Sequence, residues 1–137
     1  MTTKSKKSVK KSPVFDFRMI KTFEDACAKI GIEPTVPEIK GVIGDMIKPM
    51  VAYYKLVIIF LAINNGWKPD WSDYNQYKYY PWFGVLSSGF GFSGSLYVFA
   101  YSLTYVGSRL CADTREKALY MAKQFKDLYQ EYLLYSE

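Results

Sequence analysis

The fold is decided by the stretch "PMVAYYKLVIIFLAINNGWKPDW", residues 49–71, in which a long apolar run ends in a turn. From Met50 to Ile63 the only charged side chain is Lys55, and Asn64-Asn65-Gly66 supplies residues that end helices. The proline at the start suits the first turn of a helix. A helix over this run would be about 21 Å long, shorter than the ~30 Å hydrocarbon core of a bilayer. We therefore expect a central core helix, covered on most sides, and no membrane span.

Helices are also predicted on either side of this run. The first begins after Thr22 and ends at Gly31, and its apolar face consists of Phe23, Ala26, Cys27 and Ile30. The last begins at Asp113, with Glu116 three residues on in a spacing like that of a capping box. Its apolar stripe consists of Ala118, Ala122, Phe125, Tyr129 and Tyr132.

Between these helices the pattern changes to three aromatic segments with short links. We predict strands over residues 77–86, 90–101 and 105–111, with Pro81 marking an edge or a bulge in the first. Short links favour an antiparallel meander. The expected fold is α+β, a small three-stranded antiparallel sheet with about three helices packed on it, in the order helix, helix, three strands, helix.

The chain of 137 residues suits one domain preceded by a basic arm. We assign residues 1–13 to this lysine arm and residues 14–137 to a single α+β domain. The arm carries Lys4, Lys6, Lys7, Lys10 and Lys11 and no acid, so it accounts for the whole net charge of +5. It is either a solvated tail or an arm that lies on nucleic acid or on a partner subunit.

The composition excludes several kinds of catalytic site. Without histidine the chain lacks the commonest general base, the Ser-His and Cys-His pairs and the usual zinc ligand. Cys27 and Cys111 fall at apolar positions, which favours buried free thiols in a reducing compartment, although a disulfide between them stays open. No apolar run follows the arm lysines closely, so we expect no signal peptide. We also expect no cofactor and no metal.

The stretch "SSGFGFSGSLYV", residues 87–98, contains the pattern G-x-G-x-x-G at Gly89, Gly91 and Gly94. A dinucleotide fingerprint requires a helix after the glycines, whereas the residues that follow here are typical of a strand. A kinase glycine loop would require the motifs VAIK, HRD and DFG, none of which occurs in the sequence. We therefore interpret the glycines as a bulge, a bend or a close backbone approach.

Aromatic rings and lysines alternate after the central helix. Such mixtures bind single-stranded nucleic acid by stacking and charge, but they also arise when rings face the core and lysines face water. Asp70 and Asp73 beside these rings allow an acid-base pair, a carbohydrate surface or a metal site, and they are also ordinary turn residues. The residues that we expect to make contacts are Lys4, Lys6, Lys7, Lys10, Lys11, Trp67, Lys68, Trp71, Tyr77, Lys78 and Trp82.

Five blocks of the sequence carry a family resemblance from about Lys21 to the C-terminus. They are "KTFEDACAKIGI", "AYYKLVIIFLAINNGWKPDW", "YKYYPWF", "VGSRLC" and "AKQFKDLYQEYLLY". In this order they resemble a group of small uncharacterised proteins of gut Bacteroides-type bacteria and their phages, including crAss-like phages. The resemblance brings no catalytic residues. It implies a phage source and a location in the bacterial cytoplasm or in a virion.

Two functions follow as expectations. The first is a non-enzymatic phage structural protein, associated with the virion or capsid, that docks on other structural proteins or on itself through its aromatic surface. Its lysine arm would contact a neighbouring subunit or DNA. The alternative is a small accessory protein that binds single-stranded nucleic acid. An enzyme would need an unrecognised site built from carboxylates or tyrosines.

Overall fold

A computed structural model describes residues 14–86, 89–98 and 109–134. The lysine arm lies outside these residues. The elements are α1 (Phe23–Ile30), α2 (Ile47–Asn64), β1 (Lys78–Leu86), β2 (Gly89–Val98), α3 (Arg115–Gln124) and α4 (Lys126–Leu133), with short 3-10 turns at Phe17–Met19 and Gly44–Met46.

The expected three-stranded sheet is wrong, because the described residues are mostly helical and contain one antiparallel pair, β1 with β2. β1 and β2 lie within one residue of the starts of the first two predicted strands, and residues 99–101 of the second prediction lie outside the described residues. Within the third, Arg109 lies in a turn, Leu110 lies in a bend and Cys111 has no regular secondary structure, while residues 105–108 lie outside the described residues. Ala112 makes only an isolated bridge with Tyr79. Leu110 and Ala112 instead pack in the helical core, and the apolar pattern of such a short buried run does not distinguish this packing from a strand.

The pairing of β1 with β2 runs from Lys78 opposite Val98 to Leu86 opposite Gly89, and its register shifts between Trp82 and Phe83. This irregularity directly follows Pro81, where the sequence predicts an edge or a bulge. Because proline lacks an N–H, it interrupts a regular ladder at little cost only in such places.

The prediction of α1 is confirmed in detail. Thr22 and Asp25 form a capping box, in which the Thr22 Oγ1 accepts from the Asp25 N–H at 3.1 Å and the Asp25 carboxylate accepts from the Thr22 N–H at 3.1 Å. Gly31 ends the helix with a φ of 75°, in the left-handed region that glycine adopts without strain.

The core is built around α2, which packs against α1 and α4. Leu56, Ile59 and Ile63 on its inner face are fully buried. The expectation that α2 is covered on most sides is wrong for its outer face, where Met50 and Leu61 are 41% and 40% exposed. The helical stretch Gly44–Asn64 is long and apolar enough to cross a membrane by length and composition, with 39% of its apolar window buried, a test that soluble core helices also pass.

The single helix expected at the end of the chain is two helices. α3 ends and α4 begins at Phe125, whose φ and ψ of −115° and 28° break the helical path. The cap also differs from the prediction, because Thr114 caps α3 by accepting from the Lys117 N–H at 3.2 Å. Asp113 instead forms an ion pair with the Lys117 ammonium group at 2.8 Å.

Candidate contact site

A cleft of about 420 Å³ opens between the C-terminal half of α2 and the loop that follows it. It brings together two of the predicted tryptophans and one predicted lysine with residues from the helix and from beyond the hairpin. We call it the tryptophan cleft, and its lining residues are Val57, Leu61, Asn64, Trp67, Lys68, Pro69, Trp71 and Arg109.

The loop is shaped by local sequence. Asn65 and Gly66 have φ values of 48° and 93°, which reverse the chain at the end of α2. The Trp67 N–H donates to the Asn64 carbonyl at 3.0 Å. Further on, the Asp70 carboxylate accepts from the Ser72 N–H at 3.0 Å and from the Ser72 hydroxyl at 2.6 Å. These hydrogen bonds lower the pKa of Asp70, and they hold the turn that presents Trp71.

Tyr80 and Cys111 form the base on which Trp67 and Trp71 pack. Burial raises the pKa of the Cys111 thiol to about 12, so it stays protonated and serves as an apolar group. Asn64 ties this base to α2, because its Nδ2 donates to the Cys111 carbonyl at 2.9 Å. The other amide atom, Oδ1, is buried and has no hydrogen-bond partner within the described parts of the chain.

Lys78 is a structural residue of the cleft rather than a solvent-facing contact residue. Its side chain is fully buried, and its ammonium group donates to the carbonyls of Asp73 and Gln76 at 3.2 and 3.1 Å. It also lies 5.1 Å from the centre of the Trp71 ring, a cation–π distance. Lys78 was expected to contact a partner, but its ammonium group instead contacts two carbonyls and the Trp71 ring of its own loop.

The cationic rim of the cleft consists of Lys68 and Arg109. Both residues are exposed, and neither forms an ion pair with a described acidic residue. The nearest acid along the chain, Asp70, already accepts two hydrogen bonds from Ser72. The rim therefore offers two cations beside an apolar, aromatic wall.

The remaining predicted residues either do not line this cleft or lie outside the described residues. Trp82 is 50% exposed and follows Tyr80 on the same face of β1, since side chains alternate along a strand. Tyr77 is 47% exposed and stacks on Tyr79 at 6.0 Å between ring centres. All five arm lysines, Lys4, Lys6, Lys7, Lys10 and Lys11, lie outside the described residues.

Sequence reasoning missed Val57, Leu61 and Arg109 as lining residues. The two aliphatic residues are four apart on α2, so helix periodicity could have placed them on one face. Arg109 reaches the cleft only through the tertiary fold, and no local pattern indicates it.

The other predicted chemistries find little support in the geometry. Asp73 accepts from the Asn75 N–H at 2.9 Å, so both aspartates of the predicted pair hold turns. No group of three or more potential metal ligands occurs among the described residues. The glycine motif from Gly89 onward lies in β2, which is a strand and opens no helix, while residues 87 and 88 lie outside the description.

No family model matches the sequence, and comparisons with curated proteins and with solved structures find no match either. The phage origin and the Bacteroides-type family expected from the sequence blocks therefore stay predictions.

Proposed function

We propose that this chain is a non-enzymatic phage structural protein, associated with the virion or capsid, that docks on another structural protein or on itself through the tryptophan cleft. The observation that carries the proposal is the combination of half-buried Trp67 and Trp71 with the rim cations Lys68 and Arg109, which form no ion pair with a described acidic residue. Tryptophan and arginine dominate contact energies at protein interfaces, especially where they border a pocket.

The shape of the cleft favours a protein partner over nucleic acid. One wall consists of the aliphatic side chains of Val57 and Leu61, which complement an apolar side chain better than the polar edge of a base. Both tryptophans already pack against Tyr80 and Cys111, so less of each ring is free for stacking. Nucleic acid would also require a longer cationic track than the two rim residues provide.

The proposal is tested by the incorporation of tagged chains into phage particles. Leu61→Glu places a charge in the cleft, and Arg109→Glu reverses a charge on its rim. We expect either variant to reduce incorporation at least tenfold at equal expression. Tyr74→Ala is the matched control, because Tyr74 is 75% exposed and outside the cleft. Mass spectrometry of particles should find the wild-type chain in stoichiometric amounts, and its absence from purified particles would overturn the proposal.

The alternative, binding of single-stranded nucleic acid, is favoured by the half-exposed rings of Tyr77 and Trp82. If the five arm lysines contact phosphates, the affinity for a single-stranded oligonucleotide should fall with salt with a log–log slope of about −3.5. Trp82→Ala should then weaken binding by about 1–3 kcal/mol. The absence of measurable binding at low salt would exclude this alternative.

A further inference from the structure

The described residues that line the tryptophan cleft include two cations and no acid. Lys68 and Arg109 are exposed at the rim, and neither forms an ion pair with a described acidic residue. Asp70 is close along the chain, but it does not line the cleft, and its carboxylate accepts two hydrogen bonds from Ser72. The rim therefore favours a negative group. The planar guanidinium of Arg109 suits a carboxylate in particular, because it can donate two parallel N–H bonds to it.

The floor of the cleft is Asn64. It is 6% exposed and is the buried member of the described lining residues, whereas the others are half-buried or exposed. Its Nδ2 donates to the Cys111 carbonyl at 2.9 Å, and its Oδ1 has no hydrogen-bond partner among the described residues. A buried acceptor without a donor is unfavourable, since it has left water without gaining a hydrogen bond. The floor therefore favours an occupant that brings a donor.

The walls between floor and rim are apolar. They include Val57, Leu61 and the half-buried rings of Trp67 and Trp71. The volume of about 420 Å³ lies near the lower end of the range for ligand clefts, roughly 300–1,000 Å³, so it suits one large side chain. Serine or threonine would bring a donor but leave the walls uncovered, and lysine would bring a positive charge toward Arg109. Tryptophan meets each requirement, because its indole is apolar except for an N–H that donates and does not accept.

We propose that the tryptophan cleft binds a partner segment in which a tryptophan is flanked by aspartate or glutamate. The partner's indole fills the space between the walls, and its N–H donates to the Asn64 Oδ1. The flanking carboxylates bind Arg109 and Lys68 at the rim. The inference rests on the proposed function and names the chemistry by which the cleft recognises its partner.

The donor at the floor can be tested with peptide probes and the full chain. The acetylated and amidated peptide Gly-Asp-Trp-Glu-Gly should shift the indole N–H signals of Trp67 and Trp71 in a nuclear magnetic resonance titration, with a Kd below about 1 mM. The matched probe carries benzothienylalanine, in which sulfur replaces the indole N–H with little change of shape. It should bind about tenfold more weakly, because it brings no donor to Asn64. Equal affinities of the two peptides would overturn the inference.

The carboxylates at the rim are tested separately by charge removal. The peptide Gly-Asn-Trp-Gln-Gly, with amides in place of the acids, should bind the wild-type chain about tenfold more weakly. The variant Lys68→Gln with Arg109→Gln should bind the acidic and the amide peptide alike. Lys123→Gln with Lys126→Gln is the matched control, because it removes two exposed lysines that do not line the cleft and should keep the preference for the acidic peptide. Loss of the preference in this control, or its persistence without the rim cations, would contradict the proposed recognition.

Other outcomes separate this inference from the proposed function. If no peptide shifts the indole signals at about 1 mM while Leu61→Glu still reduces incorporation into particles, the inference is overturned and the docking role of the cleft stays in place. If the acidic peptide binds as expected while Leu61→Glu leaves incorporation unchanged, the recognition chemistry is supported and the role in particles is contradicted. A single-stranded oligonucleotide that shifts the same signals at lower concentration than the peptide would overturn the inference in favour of nucleic acid.

Discussion

At the scale of single residues, the tryptophan cleft depends on Lys78, whose ammonium group closes the loop next to Trp71. Lys78→Met should lower the free energy of unfolding by about 1–3 kcal/mol, because it removes the ammonium donor that the loop encloses. The Gln76 carbonyl loses this donor, and the Asp73 carbonyl keeps the longer hydrogen bond from the Gln76 N–H at 3.4 Å. The emission of Trp71 should also shift to the red as the loop opens. Urea unfolding, followed by circular dichroism and by tryptophan fluorescence, measures both effects.

The matched control is Lys68→Met, which removes a lysine from the exposed rim of the same cleft. It should change stability by no more than about 0.5 kcal/mol, as exposed substitutions usually do. Equal losses for the two variants would contradict a structural role for Lys78. The sequence predicted both Lys68 and Lys78 as contact residues. A lysine between aromatic residues has the same local pattern whether its ammonium group is in water or enclosed by a loop, so the pattern could not distinguish them.

At the scale of elements, the start of α3 depends on Thr114. Thr114→Ala removes the hydroxyl that accepts from the Lys117 N–H, and it should lower the free energy of unfolding by about 1 kcal/mol. Thermal unfolding measures the change. Thr35→Ala, at an exposed position in the connector before α2, is the control and should have little effect. If Asp113→Ala is costly and Thr114→Ala is not, the cap lies where the sequence pattern first placed it.

The elements also show which parts of the fold the sequence could predict. α1 was predicted from end to end because Thr22, Asp25 and Gly31 act through local hydrogen bonds and backbone geometry. The break at Phe125 was not predicted, since it involves neither proline nor glycine, and Phe125 is buried in the core. The prediction of a third strand was wrong for a related reason. A short apolar run such as the one around Leu110 is buried either in a sheet or against helices, and only the tertiary fold decides.

The candidate site was predicted in part. Trp67 and Trp71 were predictable because they belong to one aromatic loop. Arg109 lies after the hairpin in the chain, and no local sequence pattern places it in the cleft. The outer face of α2 was missed because a helix that is apolar on every side does not reveal which side its neighbours cover.

At the scale of the whole molecule, the loss of stability above neutral pH should come from buried thiols and phenols. The sequence has no histidine, so no side chain with an ordinary pKa near 6.5 titrates between pH 6 and 8. Burial raises the pKa values of Cys27, Tyr129 and Tyr132. It raises the pKa of Cys111 to about 12. In each case the folded state keeps a proton that the unfolded chain releases near its ordinary pKa, 9 for cysteine and 10 for tyrosine.

The sign of the pH effect follows from these directions. Below pH 9 both states hold the protons, so the stability from these groups is fully present, and above it the unfolded chain binds fewer protons and stability falls. We expect a plateau from pH 6 to 8 in urea midpoints, followed by a loss that steepens above pH 9. Cys111→Ser should make the decline between pH 9 and 10 shallower, because the group that titrates first in the unfolded chain is gone, whereas Cys27→Ser should have a smaller effect. A decline that begins below pH 8, or one that Cys111→Ser leaves unchanged, would show that these buried thiols and phenols do not set the alkaline limit of the fold.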